Sequence, residues 1–564
     1  MNRHIVCKTV HVLLVFILGE FSSVDARFSQ SQLADVRDRV SIERRCQVGE
    51  QMELVLPPGT AAKLDCAHLE FGLTEVFLWE AEQRIYMCCV WADGRISYNN
   101  KPVTGQQIRW VPAPPRIGFL LSVDMAGEEA HIKIYATTDK DTIQKILRDE
   151  LEKFRQKKLK PIGLDEGLVG FVRLWSEVKY NFAFFDQVPE LDWDKVLEEY
   201  LPKVRKQQTV LEYYLLLQEC IARLNDAHTD VSPPLPWWPG IPALLVRPIE
   251  GKAVVADLAE KDEIVGAGIA RGMEITHVEG RATTDVLRDD IYPYISASTQ
   301  QDRDRQAYAE LLRGPIGSKV NVRFRTIEGR TFEAPLTRYP RSQTMFMPPA
   351  FEYRELPDRY VYVGLSSFRD EQVVRSFNAA FEKIKQASGL IIDVRQNGGG
   401  DSSVGYAIIG YLVDSPMETS HWKTRKYMPA FRAWGEEEQW HHGTHEPVEP
   451  QHDAPFMGPV VVLTGPGTVS AAEDFLIPLH ASGRAVLVGE RTAGSTGQPL
   501  AVQLPGGGRA RICVKRDTYP DGKEFVGVGV VPDVEVHSTQ EDICAGRDTI
   551  LEKAIEVIKG RARH

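Results

Sequence analysis

The chain has 564 residues, with 67 Lys and Arg against 78 Asp and Glu for a net charge of −11, and it is 43% hydrophobic and 26% charged. That length leaves room for about three to five domains, and the balance is that of an ordinary globular protein rather than a disordered one. An acidic chain of this kind is a poor candidate for a general nucleic-acid or anionic-membrane binder, and 34 Pro and 44 Gly without a period exclude a fibrous protein.

Arg3 and Lys8 precede the apolar run Val10–Leu18, and Ser22-Ser23-Val24-Asp25-Ala26 follows it. This order reads as a secretory signal peptide, residues 1–26, cut after Ala26. The run is too short to span a bilayer core of about 30 Å, and no later stretch is long and apolar enough to do so. The expectation is an exported protein, periplasmic or extracellular. Cys7 leaves with the signal, and Cys46, Cys66, Cys88, Cys89, Cys220, Cys513 and Cys544 remain. An oxidising compartment permits disulfides, but the odd count leaves a thiol over and pairing does not follow from sequence. Without a C-x-x-C pair, a zinc ribbon or thioredoxin-like site is not expected.

Residues 27–155 hold short alternating segments such as Met52–Leu56 and His131–Tyr135, parted by turns such as Pro57-Pro58-Gly59, and read as a β-rich domain of the sandwich type. Across 156–236 the period becomes helical, in Val169–Trp175 and Thr209–Leu217, with Asp192 as a helix N-cap. This predicts a small helical bundle whose last helix ends near Leu224-Asn225-Asp226-Ala227-His228. The proline-rich stretch 233–240 is a stiff linker. Residues 237–340 hold strands at Ala243–Val246, Ala253–Ala256 and Glu274-Ile275, a helix near Ala307–Leu312, and a pair of strands turning at Glu328-Gly329. Residues 341–564 read as α/β, with buried strands at Gly389–Val394, Val460–Thr464 and Ala485–Gly489 and a helix from Ser470 between the last two.

Two loops follow such strands, where open α/β sheets place their sites. In Asp393-Val394-Arg395-Gln396-Asn397-Gly398-Gly399-Gly400 the glycines let backbone N–H groups approach a ligand, as an anion nest or half of an oxyanion hole; a flexible turn would have the same composition. In Thr464-Gly465-Pro466-Gly467-Thr468-Val469-Ser470-Ala471-Ala472-Glu473, Ser470 meets a helix N-terminus with its unpaired N–H donors. It is either a nucleophile beside an oxyanion site or a plain N-cap with Glu473 completing a capping box.

Gly-Thr-x-Ser-Ala-Ala-Glu after a strand, preceded by Asp-x-Arg-x-Asn-Gly-Gly-Gly, resembles the C-terminal processing (tail-specific) serine peptidases, a family that also holds the tricorn core and the repeats of interphotoreceptor retinoid-binding protein. Gly489-Glu490-Arg491-Thr492-Ala493-Gly494, Gly527-Val528-Gly529-Val530-Val531-Pro532-Asp533, Asp192-Trp193 and Leu224–Thr229 extend the likeness over about 160–540. The resemblance implies a multidomain α+β chain with a crotonase/ClpP-like α/β catalytic domain, a PDZ-like domain at 237–340, the helical bundle and the N-terminal β-rich domain. It implies Ser470 as nucleophile, with the oxyanion held by the N–H groups of Gly398 or Gly399 and of Ala471, and no cofactor or metal. The processing branch activates its serine with a lysine; Ser495 stands at that place here, and Arg491 does not release a proton. The tricorn-like branch uses a histidine from the helical domain, which His228 matches. That branch has a serine just before its histidine, where this chain has Ala227, and a glutamate where it has Val526. Asp226 is a possible substitute partner for the ring, and Glu524, two residues before Val526, is carried as the orienting carboxylate.

The PDZ-like segment implies capture of a peptide C-terminus in a backbone cradle at Pro239–Ala243, with Gly240, Ile241 and Ala243 as substrate contacts, weakened by Pro242, which lacks a donor. His441, His442, His445 and His452 have spacings that suit a metal on a helix, but Gly443 opposes a helix there and the segment reads as a long polar loop. The leading expectation is an exported serine endopeptidase acting on peptides or unfolded proteins, in which Ser470 attacks and His228 is the base, with homo-oligomers possible. The alternatives are a catalytically inactive peptide- or lipid-binding protein on the same scaffold, and a scaffold that presents peptides through the PDZ-like domain.

Overall fold

A computed structural model describes elements of residues 30–137 and residues 162–561, apart from 208, 235–239, 260, 342–343 and 345–347. The expected signal peptide lies outside the described residues, as do Cys46 and Cys66. The chain divides into two compact units, 1–159 and 160–564.

In the first unit α1 (Gln30–Asp38) precedes nine strands, β1 (Val40–Arg45), β2 (Gln51–Leu56), β3 (Ala61–Asp65), β4 (Leu73–Ala81), β5 (Arg84–Trp91), β6 (Ile96–Val103), β7 (Gly105–Val111), β8 (Ile117–Ala126) and β9 (Glu129–Thr137). They form two sheets, of order β1-β3-β4-β5-β6 and β2-β9-β8-β7. Alternation buries Leu54 and Leu56 on β2 and Leu64 on β3.

The second unit starts with α2 (Leu164–Asn181), α3 (Trp193–Val204) and α4 (Val210–Ala222). Asp192 caps α3, accepting from the N–H groups of Asp194 at 3.1 Å and Lys195 at 3.2 Å. Thr209 and Glu212 form a reciprocal capping box on α4. These helices do not close on a core of their own, as a separate bundle would. Phe171, Leu174, Tyr213 and Leu217 belong to one buried cluster with Phe368, Leu390, Phe475 and Ile512 from the last third of the chain. Gly170 makes that contact possible: a Cβ there would stand 2.3 Å from the ring of Pro505.

After α4 comes the short strand β10 (Asp230–Ser232). A separate core holds β11 (Leu244–Ile249), β12 (Lys252–Leu258), β13 (Glu274–Val278), β14 (Arg281–Ala282), α5 (Gln300–Glu310), β15 (Lys319–Arg325) and β16 (Thr331–Thr337). The sheet order is β11-β12-β13-β15-β16, with β14 paired to β13.

The last third is built on β17 (Phe351–Glu355), β18 (Tyr360–Leu365), α6 (Gln372–Ile384), β19 (Gly389–Asp393), α7 (Ser402–Ile409), β20 (His421–Lys426), β21 (Gln439–Thr444), β22 (Val460–Thr464), α8 (Ala471–Ala481), β23 (Ala485–Gly489), β24 (Pro499–Gln503), β25 (Arg509–Cys513), β26 (Lys515–Thr518), β27 (Val534–Glu535) and α9 (Thr549–Arg561). The central sheet has the order β17-β18-β19-β22-β23-β27. From β18 to β27 every pairing is parallel, as strands joined by crossover helices require. The fully buried runs of β22 and β23 fit a sheet covered on both faces. Because β19 and β22 are neighbours, the loops leaving their C-terminal ends lie side by side. Two smaller sheets, β10-β25-β24 and β21-β20-β26, flank this one.

Gly489 ends β23 at φ +129°, and a Cβ there would lie 2.3 Å from the carbonyl oxygen of Thr464. Gly489→Ala is therefore expected to lower stability by at least about 2 kcal/mol, read as a fall in the denaturant midpoint with an unchanged slope.

Candidate active site

Thr468 and Val469 zip the loop after β22 to the loop after β19. Thr468 Oγ1 donates to the carbonyl of Val394 at 2.8 Å, and Val469 N–H to that of Asn397 at 3.0 Å. Gly467 is needed there, since a Cβ would stand 2.5 Å from the Arg395 carbonyl oxygen. The next residue, Ser470, adopts φ +60° and ψ −127°, a conformation that costs a side-chain-bearing residue about 1–3 kcal/mol and that clusters at active sites. Ser470 is the N-cap of α8, and Glu473 reaches back to its N–H at 3.2 Å as in a capping box. Ser470 is half-buried.

Its Oγ lies 3.0 Å from Nε2 of His228. The histidine follows α4 and reaches the turn of Ser470 because β10, two residues on, pairs antiparallel with β25, Asp230 opposite Arg511. The Arg511 guanidinium donates to Asp230, with Nε at 2.9 Å, and Thr229 Oγ1 accepts from Cys513 N–H at 2.9 Å. His228 is 7% exposed. Burial, aided by the charge of Arg511, lowers its pKa to about 4, against opposing pulls from Asp230 and Asp517. The ring is therefore neutral at pH 7 and able to accept a proton.

The other ring nitrogen, Nδ1, lies 2.7 Å from Oγ of Ser495. The imidazole thus sits between two hydroxyls from separate loops, and Glu473 holds both loops. Glu473 is fully buried one turn into α8. Its Oε1 accepts from Thr492 Oγ1 and from Gly494 N–H at 2.8 Å; its Oε2 accepts from Ser495 N–H at 2.8 Å and Ser470 N–H at 3.2 Å. Ser470 N–H also reaches the carbonyl oxygen of Ser495 at 2.8 Å. Burial pushes the Glu473 carboxyl up to about 7, while its four donors pull the other way.

Of the expected oxyanion donors, Gly399 is corrected. Its N–H is spent on Asn397 Oδ1 at 2.9 Å, and Asn397 is itself tied to the Leu365 carbonyl at 3.1 Å. Gly399 instead serves close packing: at φ +87° a Cβ would lie 2.8 Å from Ser470 Cβ and 3.0 Å from Ala471 N. Among the described residues, the N–H groups of Gly398 and Ala471 meet no protein acceptor.

Glu524 is corrected as the orienting group. Its carboxylate binds Lys423 Nζ at 3.1 Å and Arg516 Nη2 at 2.5 Å. The Arg516 side chain is 5% exposed and also holds Asp186 at 2.6 Å, so the carboxylate is where a buried guanidinium requires one. Asp226 does not reach the ring either. It accepts from Thr229 Oγ1 at 2.5 Å and Ser298 Oγ at 3.2 Å, and burial raises its pKa. The backbone cradle at Gly240, Ile241 and Ala243 is corrected as well. Gly240 N–H donates to Gly314 O at 2.7 Å and Ile241 N–H to Tyr339 O at 3.0 Å, and Ala243 is fully buried. The Gly240 and Ile241 donors are thus already satisfied. His441 and His442 lie on β21, hydrogen-bonded to β20, and not on a long polar loop.

The residue that sequence reading missed in its role is Ser495. The signal was present, since a serine stood where an activating lysine was sought, but a hydroxyl there carries no signature until the loop is folded. Glu473→Gln places an NH2 group against N–H donors that now meet carboxylate oxygen. It is expected to cost about 2–3 kcal/mol and to weaken activity, measured as a lower thermal midpoint and a lower kcat.

Comparison with known families places the peptidase family S41 model on residues 359–536 and the tricorn protease C1 domain on residues 168–222. The chain is 25% identical over 389 residues to the chloroplastic carboxyl-terminal-processing peptidase 3 of Arabidopsis thaliana, covering 64% of this chain and 68% of that protein. It is 27% identical over 395 residues to the chloroplastic C-terminal processing peptidase of Tetradesmus obliquus, covering 65% of this chain and 76% of that one. The crystal structure of mature CPAF shares the fold, with a TM-score of 0.57 at 16% identity, over 70% of this chain and 97% of that chain. With its last third similar to peptidase family S41 and its helical segment similar to the tricorn C1 domain, the chain is a serine-type peptidase that resembles the carboxyl-terminal-processing peptidases.

Proposed function

We propose that the protein is an exported endopeptidase that cleaves peptides or unfolded proteins with a Ser470–His228–Ser495 triad. The observation that carries this reading is the bracketed imidazole, with Nε2 3.0 Å from one hydroxyl and Nδ1 2.7 Å from the other. With the proton on Nδ1 and Ser495 Oγ accepting it, Nε2 presents a lone pair to the Ser470 hydroxyl. Ser470 Oγ bonds to the substrate carbonyl carbon as its proton passes to Nε2. The carbonyl oxygen becomes an oxyanion beside the N–H groups of Gly398 and Ala471, held at the positive end of α8. His228 returns the proton to the departing amine as the C–N bond breaks, and water repeats the sequence on the acyl-enzyme.

The departures at Ala227, Ser495 and Val526 do not count against catalysis on this reading, because Ser495 takes the orienting place. Ser495 is neutral, so it fixes the tautomer and direction of the ring without a formal charge to stabilise the imidazolium. The relatives are named for carboxyl-terminal processing, which favours substrates cut near a chain end. The sheet of β11–β16 with α5 beside it is the PDZ-like element on this reading, and any peptide it takes is held elsewhere than at Gly240–Ala243. Homo-oligomers and export rest on the resemblance and on the amino-terminal sequence.

Ser470→Ala and His228→Ala are each expected to lower kcat by about 10⁴-fold or more, and to abolish fluorophosphonate labelling in folded protein. Labelling at full rate in His228→Ala sinks the assignment. Ser495→Ala is expected to lower kcat about 10- to 100-fold. Because burial holds the His228 pKa below 6.5, the base stays neutral and active down to about pH 4. The acid limb of kcat/KM is therefore expected near pH 4; a limb at 6.5 would contradict the buried ring.

A further inference from the structure

The turn leading into α5 belongs to the β11–β16 core, yet its polar side chains are spent on the catalytic loops. Ser298 Oγ accepts from Ala227 N–H at 3.1 Å and donates to Asp226 Oδ1 at 3.2 Å. Thr299, the N-cap of α5, donates its hydroxyl proton to Ala493 O at 2.8 Å while accepting from Asp302 N–H at 3.3 Å. The Gln301 amide donates to Thr492 O at 2.9 Å and to Val528 O at 3.2 Å. Each of the three has used its donor capacity.

Apart from the Val528 carbonyl, their partners fall into two groups. Asp226 and Ala227 immediately precede His228; Thr492 and Ala493 immediately precede the turn that carries Ser495. Glycines let the surfaces meet: a Cβ on Gly494 would lie 2.7 Å from Thr299 Cγ2, and one on Gly529 3.1 Å from Gln301 Nε2. The imidazole and its orienting hydroxyl come from segments 267 positions apart in the chain. Glu473 fixes Ser495 relative to Ser470, and β10–β25 pairing fixes the strand after His228. What ties the segment before His228 to the segment before Ser495 is this third piece of chain.

Accepting the triad reading above, we propose that Ser298, Thr299 and Gln301 are positioning residues that hold the His228 and Ser495 segments in mutual register. The catalytic pair is then complete only with the β11–β16 unit docked through this turn. They touch neither substrate nor reacting atoms. Their action is on geometry, and a misplacement of about 1 Å at a reacting centre costs on the order of 100-fold in rate.

The test uses the full chain with a peptide substrate and a fluorophosphonate probe. Gln301→Ala and Ser298→Ala are expected to lower kcat per labelled site about 10-fold, with KM within about twofold. A loosened ring takes up water, so the acid limb of kcat/KM moves up from about pH 4 towards 6.5. Ser298→Thr, which keeps a hydroxyl, restores both. Arg511, Asp230, Asp517 and Lys515 act on the ring electrostatically and are unaltered by these variants; Ser298→Ala also removes a bond to the buried Asp226 beside His228, which Gln301→Ala leaves in place. Should Ser298→Ala fail to fold, Gln301→Ala decides, because its amide is partly at the surface. Folded variants with unchanged kcat and an unmoved acid limb overturn the proposal. So does a loss of folded protein with unchanged kcat per labelled site, which is the mark of a merely structural turn. Failure of the peptidase reading shows separately, as wild-type protein that does not label at Ser470.

Discussion

A carboxylate with no water around it must spend every lone pair on protein donors, and Glu473 does so with four. Its position on the first turn of α8 is dictated by the buried strand before it and by the zipped loops that set Ser470. Because the same two oxygens bind the 492–495 turn, the hydroxyl of Ser495 arrives at a set distance from the hydroxyl of Ser470. The space between them is the width of an imidazole. This buried carboxyl, satisfied by three donors of the 492–495 turn and by the Ser470 N–H at the start of α8, is therefore the frame on which the two serines hang.

On the proposed reading, the chemistry differs in balance from a triad closed by a carboxylate. A charged third member raises the basicity of the ring and steadies the imidazolium. Here burial lowers the His228 pKa, and the hydroxyl opposite Nδ1 directs the ring without neutralising it. The site trades driving force for proton transfer against a base that stays unprotonated over a wider acidic range. Ser470, the N-cap of α8, carries backbone strain in its positive φ.

Three parts of the chain converge on that geometry. The helices α2–α4 share a core with the parallel sheet, so the histidine comes from an element rigidly joined to the nucleophile's. The β11–β16 unit has its own core and touches the catalytic loops through the α5 turn. Parallel order in the central sheet brings the glycine loop beside the turn that carries Ser470.

The amino-acid sequence by itself marked the buried parallel strands, the capped helices and the nucleophile turn, because hydrophobic period, capping residues and Gly-rich loops are local in the chain. The motif likeness also singled out Ser470 and His228, although the chain separates them by 242 positions. Partner choice among polar groups was not legible. Glu524 was expected beside the histidine, but the buried Arg516 claims it. Gly398 or Gly399 was expected to offer its N–H, but Asn397 takes that of Gly399. Gly240 and Ile241 were expected to greet a peptide end, but Gly314 and Tyr339 pair with them. Ser495 was noticed only as a missing lysine. Each of these outcomes turns on which buried donor lies nearest which acceptor. Only the folded chain settles that, because a buried polar atom must bond to whatever tertiary packing has put within about 3 Å of it.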